Sequence, residues 1–220
     1  MKPDESLRKD AVSDDFQGEA PRAGDRASRQ AHRALRQHAV LFEALGMRAT
    51  RELENSILLE DDDLSFSLEY GLRWRLLSRI YNLRASMEVA SPGPHAEAPY
   101  RLSLKTRGLV GASRNLAAAG PAAKEGQRVA DRVTASGLVD ELAGKVDLES
   151  LSIAWVPEAG AWRVALEPYP GSYIHVLLPP IRYTVRLKEP EVVAIRAFLL
   201  DLSGVLRRDE PQSSVSPEPT

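Results

Sequence analysis

Alternation of apolar and polar residues at every second position is the feature that most narrows what this chain can become. Leu64, Phe66 and Leu68 alternate with Ser65, Ser67 and Glu69, and Leu72, Trp74 and Leu76 alternate with Gly71, Arg73 and Arg75. The pattern returns in Leu83, Ala85, Met87 and Val89, and again in Tyr100, Leu102 and Leu104. A period of two places the apolar residues of a strand on one side, so each run reads as a strand with one dry and one wet face, the habit of antiparallel sheets. Turn chemistry divides the runs at Glu60-Asp61-Asp62-Asp63, at a break over Tyr81-Asn82, and at Ser91-Pro92-Gly93-Pro94-His95. Further on, Leu151, Ile153 and Trp155 face one way in a strand that turns at residues 157–160 into a second, carrying Trp162, Val164 and Leu166. That spacing predicts a hairpin.

Helical periodicity frames these strands. Ala31, Leu35, His38, Leu41 or Phe42, and Leu45 recur at steps of three and four, predicting a helix over 27–45 that starts at Asp25 or Ser28 and stops at Gly46. Arg26, Arg29, Arg33 and Arg36 fall on its other side and read as a solvated face. The segment 108–120 reads as a loop, Pro121 opens a helix over 121–135, and a shorter one follows at 137–143. Val192, Ile195, Phe198, Leu199, Leu202 and Leu206 line a last helix over 190–206.

The expected class is therefore α+β: antiparallel sheet of about eight strands in two meanders, packed with an N-terminal helix, a central helical pair and a long C-terminal helix. No βαβ alternation is present, which argues against Rossmann-type and barrel folds. A helix-then-meander order occurs twice, over 27–107 and 121–206, without matching residues. Residues 1–25 and 209–220 are polar and rich in Pro, Ser and charge, so both are expected to be disordered around a single domain at 26–208.

Composition excludes more than it selects. The chain has no cysteine, so disulfides, thiolate metal sites and cysteine nucleophiles are out. No apolar run is long enough to span a bilayer as a helix, and none at the N-terminus resembles a secretory signal. A cytoplasmic protein is expected, and the excess of Arg over Lys with abundant Ala fits a bacterial source.

Few residues present themselves for chemistry. The acidic run at 60–63 sits between strands, where consecutive carboxylates diverge and cannot surround one cation, so it reads as an exposed hairpin tip. His32, His38, His95 and His175 have no metal-site spacing, and no metal or cofactor is expected. No phosphate loop or nucleophile elbow is present, and the Gly108-Leu109-Val110-Gly111 match to a KH loop follows a strand instead of joining helices. No catalytic residue is assigned.

Two constellations remain. Arg73, Arg75, Arg84, Arg101, Lys105 and Arg107 make the wet face of 73–114 basic, beside an acid-rich 39–70 segment, and so form a candidate anion-binding surface. Trp74 and Tyr100 alternate with these basic residues and are expected to face the core, which removes the stacking platform that single-stranded nucleic acid needs. In the stretch Ser172–Leu187, apolar residues occupy both faces up to Pro179-Pro180, after which Arg182, Thr184 and Arg186 make one face wet. Tyr173, His175 and Tyr183 there form a candidate ligand pocket against the last helix.

The run Pro170-Gly171-Ser172-Tyr173, followed by Leu177-Leu178-Pro179-Pro180-Ile181-Arg182-Tyr183 and an amphipathic helix, resembles uncharacterised bacterial protein families known only as domains of unknown function. The resemblance spans residues 100–206 and rests on turn and strand residues, so it implies a fold type and transfers no activity. A non-enzymatic binding or interaction protein is the leading expectation, with a protein partner or self-association. A ligand-binding or enzymatic pocket and a polyanion surface are the alternatives.

Overall fold

The computed structural model describes residues 26–53, 55–91, 96–105 and 116–208. Both segments expected to be disordered, together with His95, Arg107 and the KH-like glycines, lie outside them. Within them the chain forms α1 (Arg26–Glu43), β1 (Arg48–Glu52), β2 (Ser56–Glu60), β3 (Ser65–Arg75), β4 (Ser78–Ala90), β5 (Tyr100–Lys105) and β6 (Ala117–Ala119). There follow α2 (Ala123–Ala135), α3 (Leu138–Ala143), β7 (Leu148–Val156), β8 (Ala161–Pro168), β9 (Tyr173–Val176), β10 (Arg182–Thr184) and α4 (Glu189–Arg207). The class is α+β, as the alternation requires.

All ten strands join one antiparallel sheet in the order β1-β2-β3-β4-β8-β7-β5-β6. β4 is the pivot, because β8 pairs with its second half and β9, backed by β10, with its first. The two expected meanders are thus merged, the second joining the first along β4. The apolar side of the sheet is covered by helices: α1 lies over β2 and β3, α4 over β4, and α2 over β5 and β6. Among the described residues, no helix packs on the other side.

Core residues follow the expected parity. Leu35 and Phe42 of α1, Phe66 and Leu68 of β3, Leu83 of β4, Leu102 of β5, Trp162 of β8 and Leu199 and Leu202 of α4 are fully buried. Truncating one such Leu or Phe to Ala removes about 2–5 kcal/mol. Tyr100, Trp155 and Trp162 cluster across β5, β7 and β8, Tyr100 edge to face with Trp162 at 5.6 Å between centroids and Trp155 tilted against Trp162 at 5.2 Å. Gly126 lets α2 lie on that cluster, since a Cβ there would sit 2.6 Å from the Tyr100 ring. Gly171, just before β9, has φ +93°, and a Cβ would stand 2.4 Å from Leu83. Only glycine satisfies both conditions.

Four local readings change. β4 runs unbroken through Tyr81-Asn82, and the turn lies instead at Leu76-Leu77, a tip with no turn-forming residue. Register explains this: Tyr81 pairs with both Leu72 and Tyr173, so it is held in the middle of three strands. A short strand, β6, ends the expected loop, hydrogen-bonded to β5. The acidic tip is not wholly exposed, because Arg196 of α4 takes Asp61 as its partner. In β9 only Tyr173 and Ile174 are buried; Leu177 and Leu178, expected under cover, are exposed.

Candidate functional site

Among the described residues the helices cover one side of the sheet, and on the other side the wet-face residues line up across strands into rows. Register aligns Ser67 with Ser86, Ser86 with Ala165, Ala165 with Ser152, and Ser152 with Ser103. Small side chains in one row across β3, β4, β8, β7 and β5 leave a furrow running across the strands. At roughly 4.8 Å per strand it is about 19 Å long.

Charged rows flank the furrow. On one side Glu88 pairs with Arg163, which aligns through Ala154 with Arg101. Arg163 Nε donates to Glu88 Oε1 at 2.9 Å. On the other side stand Glu69, Arg84, Glu167 and Ser150. A concavity of about 670 Å³ lies over β3, β4, β8, β7 and the start of β5, touched by Ser67, Ser86, Arg84, Arg101, Arg163 and Ala165.

Glu167 is the anchor of the second row. It is buried, 5 % exposed. It accepts hydrogen bonds from Arg84 Nη2 at 2.6 Å, Arg73 Nη2 at 2.7 Å and Ser150 Oγ at 3.0 Å. Arg73 also pairs with Glu149, which accepts from Asn82 Nδ2 at 2.9 Å. Glu149 reaches this cluster because the register of β7 shifts between Leu148 and Ser150, leaving Glu149 as an extra residue on a bulge. Paired, hydrogen-bonded charges are the form in which buried ions persist, since each alone would carry a large desolvation cost.

The candidate basic residues are therefore not equivalent. Arg73 and Arg84 are bound to carboxylates, and Arg101 borders the concavity. By register Arg75 sits opposite Ser78 at the β3–β4 tip and Lys105 opposite Ser150. Trp74 shares the core-side parity of Tyr100, but it lies past the helices and is 52 % exposed, with the Arg79 guanidinium 4.4 Å over its ring.

Tyr173, His175 and Tyr183 do not converge. Tyr183 pairs with Ile174, so it lies on the opposite face of β9 from Tyr173 and His175. Tyr173 is buried beside Tyr81 and donates to Gln30 Oε1 at 3.1 Å, under α1. His175 aligns instead with Arg79 and Arg182. Another histidine is more deeply placed: His38 of α1 hydrogen-bonds the Gly171 backbone, whose carbonyl also accepts from Tyr70 Oη at 2.8 Å. Burial pushes the His38 imidazole down to about 4, against that hydrogen bond. Among the described residues no group of His, Asp and Glu has the arrangement of a metal site.

Sequence reasoning missed Glu149 and Glu167. Glu167 carried a signal, since it shares the wet-face phase of Arg163 while standing between Leu166 and Pro168. Glu149 carried none, because a bulge reverses the parity that would have placed it.

The family model described as "Protein of unknown function (DUF3156)" matches residues 30–206, from α1 to the end of α4. The chain belongs to that family. The DUF3156 match takes in both the covered core and the open face, a wider span than the resemblance of residues 100–206. No curated protein and no solved structure matches the chain. Among the described residues, no helix is long and apolar enough to cross a membrane.

Proposed function

We propose that this DUF3156 protein is a non-enzymatic binding protein, working in the bacterial cytoplasm, that holds an elongated small molecule in the furrow on the open face of its sheet. The concavity of about 670 Å³ over a floor of Ser and Ala carries this reading. Its volume falls in the range of small-molecule sites, and small floor residues allow a flat body to approach the backbone closely. Ion pairs on both margins, Arg163 with Glu88 and Arg84 with Glu69, would meet the polar ends of such a ligand. The Glu167 cluster stabilises the wall, its oxygens being occupied by Arg73, Arg84 and Ser150. A polyanion reading is weaker, since two of its arginines are already neutralised by Glu149 and Glu167.

A metabolite library screened by thermal shift supplies the test, each hit being titrated against the parent and an Ala165→Trp variant that fills the furrow. The reading expects a hit whose affinity falls at least about tenfold in the variant, with the unliganded midpoint held. Hits that bind both proteins equally would place the site elsewhere. Turnover of a hit would convert the reading to an enzyme.

A further inference from the structure

A second surface lies at the end of the sheet, away from the furrow. Two loops meet there: the β3–β4 tip at Leu76-Leu77 and the β9–β10 turn at residues 177–181. They are fastened side by side by a hydrogen bond from Leu177 N to Leu77 O at 2.8 Å. Both are apolar and bare. Leu76 is 96 % exposed and Leu178 70 %, with Leu77, Leu177 and Ile181 between 40 and 51 %. Single exposed apolar residues are ordinary, whereas several on two adjoining tips mark an interaction site.

The surroundings say which kind. Behind the leucines come half-exposed aromatics, Trp74 from β3 and Tyr183 from β10. Alongside them register sets Arg79, His175 and Arg182 in one row with Trp74. Over residues 74–82 and 168–188 the sequence holds Arg75, Arg79, Arg182, Arg186 and Lys188 and no Asp or Glu. Aliphatic tips backed by a level of aromatic and cationic side chains match a bilayer leaflet, hydrocarbon first and then the interface with its phosphates. A protein groove would instead call for a recessed apolar surface, and these leucines project.

We propose that this end of the sheet docks the protein on an anionic lipid bilayer, with Leu76 and Leu178 entering the acyl region and Arg79 and Arg182 meeting headgroup phosphates. Contact with the surface needs no spanning helix. The furrow takes no part, so this inference stands or falls apart from the proposed function.

Trp74 provides the readout. The chain has three tryptophans, and Trp155 and Trp162 are buried, so a change in polarity at the tips is reported by Trp74 alone. The full chain is mixed with vesicles of phosphatidylcholine alone, or of phosphatidylcholine with phosphatidylserine, and followed by emission and co-sedimentation. Docking predicts a blue shift and sedimentation with the phosphatidylserine vesicles only, both weakened by salt. Leu76→Asp with Leu178→Asp should lower vesicle affinity at least about tenfold at an unchanged melting midpoint, whereas Val40→Asp, at an exposed apolar site on α1, should leave it intact. The proposal is overturned by no binding at low salt, by equal binding to both vesicles, or by full binding of the double variant. It is also overturned if the double variant instead dissociates a dimer of the parent, which would assign the patch to a second copy of the chain.

Discussion

Arg196, midway along α4, donates from Nε and Nη2 to one oxygen of Asp61, at 3.0 and 2.6 Å. The other oxygen of Asp61 accepts from the amides of Asp63 and Leu64, both at 2.9 Å. One carboxylate thus shapes the β2–β3 turn and ties it to the last helix.

Asp61→Ala is therefore expected to cost about 2–3 kcal/mol, the worth of charge-assisted hydrogen bonds that leave their donors behind. Asp61→Asn retains the turn geometry and should cost less. Burial acts to raise the Asp61 carboxyl, but the hydrogen bonds from Arg196 and the turn amides hold it below the usual carboxylate range. Its contribution is then complete above the unfolded pKa of about 3.9 and is lost as pH falls below it. Urea unfolding of both variants and the parent, at neutral pH and near pH 3, measures each part.

Glu167→Ala removes a buried carboxylate from between two arginines and should destabilise by about 3–5 kcal/mol, since Arg84, 13 % exposed in its side chain, keeps its charge. Glu69, 3.7 Å from Arg84, offers a partial replacement partner. The double variant Glu167→Ala with Arg84→Met should recover part of the loss. Denaturant midpoints in the four-membered cycle give the coupling, and simple additivity would remove Glu167 from its central place.

His38 makes stability depend on pH in a second window. With its folded value near 4 and an unfolded value near 6.5, the unfolded chain binds the extra proton first. Stability from this group is complete above pH ~6.5 and declines as pH falls toward ~4, by a few kcal/mol at most. A His38→Gln variant should lose that slope while keeping the Asp61 transition at lower pH. Identical pH profiles for variant and parent would show that His38 is not the group responsible.

The one-sided alternation of β3, β4, β5, β7 and β8, and the helical stripes of α1 and α4, were legible because each is a local consequence of side-chain period and apolar burial. The same alternation supplied the wet-face residues, including Arg84 and Arg101. It could not say which of them would lie in one row, because register between strands is set by long-range pairing. Ser67 and Ser103 stand far apart in sequence and become the two ends of one row only through β4, β8 and β7.

Partners of charges were likewise undetermined. Arg73 reads as a free cation in its strand, yet a bulge in β7 and the end of β8 bring it Glu149 and Glu167. Tyr173 and Tyr183 read as one pocket, and antiparallel pairing put them on opposite faces. By itself the sequence determined an α+β chain with a half-covered antiparallel sheet, since the hydrophobic effect acts on local periodicity. Tertiary structure alone decided that the tips carrying Leu76 and Leu178 would lie side by side, because β9 pairs with the first half of β4 and carries its turn to the neighbouring hairpin tip.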